Sequence, residues 1–290
     1  MILVTGATGN YGNATIDFLI KKGIPVDQIT ALVRHESAGE QFTSKGINTV
    51  IGDYDHYQSL VNAFTGIEKL LFISGSDIVN RLAQHERIIQ AAKDAGVHHI
   101  VYTSFQRKNE TDTSPLWLVA QSHLQTEKWL KESGLDFTIL KNNLYMDLIP
   151  AFVGEQVLTS GVIYLPAKFG KVGAILRSEL AEATANILIG GSHEGKSYDF
   201  TNTEAFTYED VAKIISDVTG KPIHYVSPTA DEYEETMSKH GVPAEVIGLF
   251  SSFAVGQAGG ELELASQDVA SILGRKPTSI KTFLSQVYQK

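Results

Sequence analysis

No cysteine occurs among the 290 residues of this chain. Disulfides, thiolate zinc sites, iron–sulfur clusters and cysteine nucleophiles are thereby excluded by inventory. Basic charge is scarce as well: 24 Lys and Arg stand against 33 Asp and Glu, a net charge of −9. With no basic stripe to outweigh that balance, nonspecific nucleic-acid binding is disfavoured, because phosphate neutralisation dominates such affinity. No apolar run approaches the ~18 residues that a membrane span requires. The first basic residue, Lys21, comes too late for the charged start of a secretory leader. The expectation is a soluble, cytoplasmic chain that engages neither membrane nor nucleic acid. Its nine histidines include no i, i+4 pair of the kind that holds helical zinc, so no metal centre is expected.

What is present reads as an ordinary globular protein, 43% apolar and 20% charged, long enough for one large domain or two modest ones. Short β-rich runs near Ile2–Thr5, Ile29–Val33, Asn48–Ile51, Lys69–Ile73, His99–Thr103 and Phe137–Leu140 alternate with segments of helical period. That alternation is the signature of βαβ units and a parallel sheet. Ile16, Leu19 and Ile20 share one helical face ahead of Gly23, as do Ile88, Ile89 and Ala92 ahead of Gly96, and a further helix is expected from His123 to Glu132. The fold class predicted is α/β, a Rossmann-type doubly wound parallel sheet. Residues 1–146 would form the dinucleotide-binding domain. A helix over Ser178–Leu188 and a strand over Ser197–Phe200 would bring residues 174–200 back to it. Residues 147–173 and 201–290 would form a smaller, mostly helical region facing the substrate. Within it, Thr207 and Asp210 have the spacing of a helix N-cap, and Ser251–Glu263 reads either as a mobile segment at the substrate mouth or as a plain loop.

The segment TGATGNYG, Thr5–Gly12, follows the first strand and opens the first helix. A glycine turn in that place lets the backbone approach a diphosphate and sets its charge on the helix N-terminus. Gly6, Thr8, Gly9, Asn10, Tyr11 and Gly12 are therefore read as dinucleotide-binding. The second strand ends in Arg34 and His35. Arginine suits the 2′-phosphate of NADP, whereas a carboxylate suits the 2′-hydroxyl of NAD. NADPH is the favoured cofactor; a solvated Arg34 with Glu36 on the ribose would favour NAD.

The stretches ILVTGATGNYG, ALVR, GDYD, KLLFISG, AAKDAGVHHIVYTS, TEKWLKESGLDFTILKNNLY and RSELAEA together resemble the NmrA-like branch of the atypical short-chain dehydrogenases. Within that branch the chain is most similar to the type 2 NADPH:quinone reductases and the triphenylmethane dye reductases. The resemblance implies that the turn holds the diphosphate and Arg34 the 2′-phosphate. It implies Asp53 and Tyr54 near the adenine, and Ser74 and Gly75 beside the riboses. Ser104 and Lys128 would face the nicotinamide ribose, with Asn143, Leu144 and Tyr145 lining the nicotinamide and substrate end. In the wider family a Tyr-x-x-x-Lys pair moves the proton. If Lys128 is that lysine, the tyrosine position is Leu124, and leucine moves no proton. The absence favours hydride transfer to quinones or similar conjugated acceptors, with positioning in place of an essential catalytic side chain. His123, Lys128 and Tyr145 stand as proton-donor candidates, and Trp117 as an aromatic lid in a loop over the nicotinamide. The alternative is a non-catalytic protein that senses NADP(H) and signals to a partner. A homodimer is the default oligomer.

Overall fold

The computed structural model describes residues 1–289. Its strands are β1 (Ile2–Val4), β2 (Ile29–Val33), β3 (Asn48–Ile51), β4 (Lys69–Ile73), β5 (His99–Phe105), β6 (Asp136–Asn142), β7 (Val162–Tyr164), β8 (Lys196–Phe200) and β9 (His224–Val226). The helices of the first half are α1 (Asn10–Lys21), α2 (Glu36–Thr43), α3 (Tyr57–Phe64), α4 (Arg81–Asp94) and α5 (Trp117–Glu132). The second half adds α6 (Ile149–Val153), α7 (Val157–Ser160), α8 (Arg177–Ile189), α9 (Tyr208–Thr219), α10 (Ala230–Lys239), α11 (Ala244–Ala258), α12 (Asp268–Leu273) and α13 (Ile280–Tyr288).

Seven strands form one sheet in the order β3-β2-β1-β4-β5-β6-β8, every pairing parallel. β1, β2 and β5 are buried at every position, as parallel strands with helices on both faces must be. Neighbouring residues on a strand point to opposite faces. Thus Val4, Leu71 and Val101 pack with α1 and α8, while Leu3, Phe72 and Tyr102 pack with α3, α4 and α5. The strand order reverses between β1 and β4, and the crevice outside the carboxyl ends of strands at such a reversal is where this class of sheet takes ligands.

A third apolar cluster gathers residues from Phe105 to Leu284, including Leu116, Met146, Phe152, Tyr208 and Ile247. Here β7 and β9 pair in parallel as a separate two-stranded sheet. The sequence reading held no strand there, because three residues are too few to express period two. Thr207 caps α9 through the reciprocal bond with Asp210. Near the C-terminus the chain returns to the main sheet: Asn186 on α8 donates to Ile272 O at 2.9 Å, and Asp268 accepts from Asp199 N on β8 at 2.8 Å.

Two expectations are corrected. Ser251–Glu263 is neither loop nor mobile segment over most of its length, since α11 runs through it to Ala258; Gly256 lets this helix close on Leu116, which a Cβ would meet at 2.8 Å. Trp117 lies not in a loop but in the first turn of α5, which begins six residues before His123, and this removes the basis for an aromatic lid.

Candidate functional site

At the carboxyl end of β1 the chain turns at Gly6, φ +58°, and Gly9 N donates to Gly6 O at 3.0 Å. Gly9 is the N-cap of α1 and gives it no side-chain cap. The amides of Asn10, Tyr11 and Gly12 therefore have no intrahelical acceptor, and they sit at the positive end of the helix dipole. Gly12 is required by packing: a Cβ would lie 2.4 Å from Gly6 O. Arg34, exposed at the end of β2, makes no ion pair among the described residues. It is close enough to Tyr54 to oppose the desolvation that pushes that phenol up to about 12. Tyr54 donates to Ile73 O at 3.3 Å and lies beside Gly75, where a Cβ would come within 3.8 Å of its ring. Glycine turn, free amides, unpaired arginine and aromatic ring thus meet at the strand reversal. The set can hold a diphosphate and a further phosphate on the adjoining ribose.

Beyond Gly75 the crevice is floored by buried polar groups. Thr126 donates its hydroxyl to Ser122 O and so accepts from His85 Nδ1 at 2.8 Å, which leaves His85 Nε2 to accept from Ser74 Oγ at 3.3 Å. Tyr102 lies 3.4 Å from His85 Nδ1 and 2.6 Å from His123 Nδ1. Desolvation holds the imidazoles of both histidines below the usual range, His85 at about 3 and His123 in the same sense; both stay neutral. Glu127 takes a bidentate pair from Arg107 at 2.8 and 2.9 Å and a hydrogen bond from Ser104 Oγ. Together these keep its carboxyl below the usual range against a desolvation that acts the other way. Arg81 donates from Nε to Gly75 O at 2.9 Å, while its Nη1 is buried without a partner. Phe105, Phe152, Phe250 and Phe253 form an aromatic wall beside His123.

The model of the NmrA-like family matches residues 1–284. The chain belongs to the NmrA-like family. It is 33% identical over 288 residues to quinone oxidoreductase 2 of Escherichia coli strain K12, covering 99% of each chain. The crystal structure of an NADPH-dependent quinone oxidoreductase from Escherichia coli, solved with NADPH, superposes with a TM-score of 0.93 at 33% identity, over 99% of this chain and 100% of that one. Triphenylmethane reductase of a Citrobacter species, solved with NADP(H), gives 0.90 at 33% identity over 99% of each chain.

Within this NmrA-like fold the residues singled out in the sequence fall into three groups. Gly6, Thr8, Gly9, Asn10, Gly12, Arg34, Tyr54, Ser74 and Gly75 line the strand-reversal end. Several others reach the same edge with their side chains engaged elsewhere. Tyr11 OH is 2.7 Å from Thr184 Oγ1 and fastens α1 to α8. Asp53 accepts from Asp55 N, shaping the turn after β3. Asn143 donates to Gln106 and to Leu262 O and accepts from Leu144 N, which ties the sheet to the segment after α11. Ser104 points at Glu127, Leu144 is buried in the third cluster, and Tyr145 sits between Tyr11 and the guanidinium of Arg177, 5.6 Å from its ring, with burial pushing its phenol up.

Lys128 forms the third group alone. It is exposed, whereas the face of α5 turned to the sheet carries Ala120, His123, Thr126, Glu127 and Leu130. Helical geometry places Lys128 one step around from that face, on the solvent side of the helix. His123, by contrast, is no surface residue: it is 6% exposed. The sequence reading missed Arg81, His85, Tyr102, Arg107 and Glu127. A signal existed, since Arg81 and His85 continue the stripe of Ile88 and Ala92 at helical spacing, placing polar residues on an apolar face.

Proposed function

We propose that the protein is an NADPH-dependent reductase that passes hydride to quinones or similar conjugated acceptors. The observation that carries this reading is the uncapped N-terminus of α1 beside the unpaired Arg34 at the strand reversal. One-third identity along nearly the whole length to reductases of that description supports it. The amides of Asn10, Tyr11 and Gly12 would hold the diphosphate, with Gly6, Thr8 and Gly9 shaping the turn and Arg34 on the 2′-phosphate. Asp53 and Tyr54 would border the adenine, Ser74, Gly75 and Ser104 the riboses, and Asn143, Leu144 and Tyr145 the nicotinamide end. Residues 147–173 and 201–290 would close the acceptor side through Phe152, Phe250 and Phe253.

When bound, NADPH supplies the hydride. The chain supplies position and a dry aromatic wall. Neither buried proton-donor candidate is set up as an acid near neutral pH. Lys128 faces solvent, His123 is held neutral, and Tyr145 is pushed up from an ordinary value of 10.0. Water is therefore the proposed source of the proton that completes the product, which suits acceptors whose reduction needs no acid to begin. Absorbance loss of NADPH across a panel of quinones and dyes tests the reading. Oxidation that depends on acceptor is expected. Tight NADPH binding without oxidation by any acceptor would overturn it in favour of an NADP(H)-sensing protein.

A further inference from the structure

Among the described residues two arginines are buried at the carboxyl edge of the sheet, and only one has a carboxylate. Arg107 is neutralised by Glu127. Arg81 is 6% exposed, is spent at Nε on the Gly75 carbonyl, and leaves Nη1 buried and unpartnered. Asp77, the one acid whose charge reaches it, is exposed on the preceding loop and is bonded to Asn80. Arginine keeps its proton under these conditions, and a buried cation without a partner is costly to keep. Tyr102, Tyr145, His85 and His123 all feel its charge. Those groups come from β5, the segment after β6, α4 and α5, so the guanidinium lies where these elements converge beside Gly75.

We infer that Arg81 selects the acceptor: its guanidinium donates to the oxygen on which negative charge gathers as a conjugated carbonyl compound is reduced. This rests on the reductase reading above. Hydride from NADPH brings two electrons to the quinone and leaves NADP+ and the quinone monoanion, with its charge on a carbonyl oxygen. One proton from water then gives the hydroquinone. A donor fixed in advance at that oxygen stabilises charge that develops only in the transition state. A triarylmethyl dye behaves oppositely, because hydride adds to a carbocation and gives a neutral product. Arg81 gives that acceptor nothing and repels its positive charge.

Arg81→Gln keeps a donor for Gly75 O and removes the cation; Arg81→Lys keeps the cation and loses the fork. The expected result is that Arg81→Gln retains NADPH affinity, measured by fluorescence titration, and loses about a hundredfold in kcat/KM with menadione. With crystal violet it is expected to hold its rate or gain, and Arg81→Lys should fall between with menadione. Independently of turnover, para-nitrophenol titrated by absorbance into the NADP+-loaded protein should ionise at lower pH on the parent chain than on Arg81→Gln. Equal losses with both acceptors alongside weakened NADPH binding would overturn the inference and place Arg81 on the cofactor. Unchanged rates with menadione would reduce it to a structural cation. Should the parent chain oxidise NADPH with no acceptor, the reductase reading falls, and the nitrophenol titration alone decides whether Arg81 holds an oxyanion.

Discussion

Arg34 and Lys128 are both lone cations in the sequence, and the structure separates them. Arg34 was legible because it ends a strand whose partner in the sheet carries the glycine turn, and sheet register leaves little freedom at that point. Replacing it by Ala is expected to weaken NADPH more than NADH, by about 1.5–3 kcal/mol for a charge-assisted contact, measured by titration of both cofactors. Equal losses would argue against a 2′-phosphate contact. Lys128 was harder to place because a helix offers neighbouring positions about 100° apart, and only packing tells which of them faces inward. Lys128→Ala is expected to leave NADPH affinity unchanged; a loss would mean that the lysine reaches the ribose.

At the scale of elements, the helices carry the information that hydrophobic patterning hides. On α5 the inward stripe holds His123, Thr126 and Glu127 among Ala120 and Leu130, so the apolar period is broken where the site is built. The Glu127 carboxylate, 5% exposed against 1% for Arg107, joins that helix to the end of β5. Arg107→Met leaves a buried carboxylate without its partner and is expected to cost about 3–5 kcal/mol of stability, read from urea unfolding. Capping is a smaller and more local matter. Thr207→Ala removes the acceptor for Asp210 N and is expected to cost ~1 kcal/mol, seen as a lowered Tm with NADPH affinity intact.

The whole molecule should be sensitive to acid. Burial, then the charge of Arg81, lowers His85 from its ordinary 6.5 to about 3, and His123 is depressed in the same sense. Between those values the unfolded chain binds protons that the folded chain refuses. Stability is therefore complete above the ordinary histidine range and is lost as pH falls through it toward 3. Urea midpoints are expected to drop between about pH 8 and about pH 5, and His85→Gln should flatten part of that drop. A flat profile in the parent chain would mean that these imidazoles are not held neutral. By itself the amino-acid sequence determines the strand succession, the glycine turn and the arginine at the end of β2, because period, turn chemistry and helix caps act over a few residues. Only the tertiary structure decides that Lys128 faces water, that His85, Tyr102 and His123 share hydrogen bonds, and that Arg81 is buried without a carboxylate. Those facts depend on how α4 and α5 rotate against the sheet, and that rotation is set by the packing of all three apolar clusters at once.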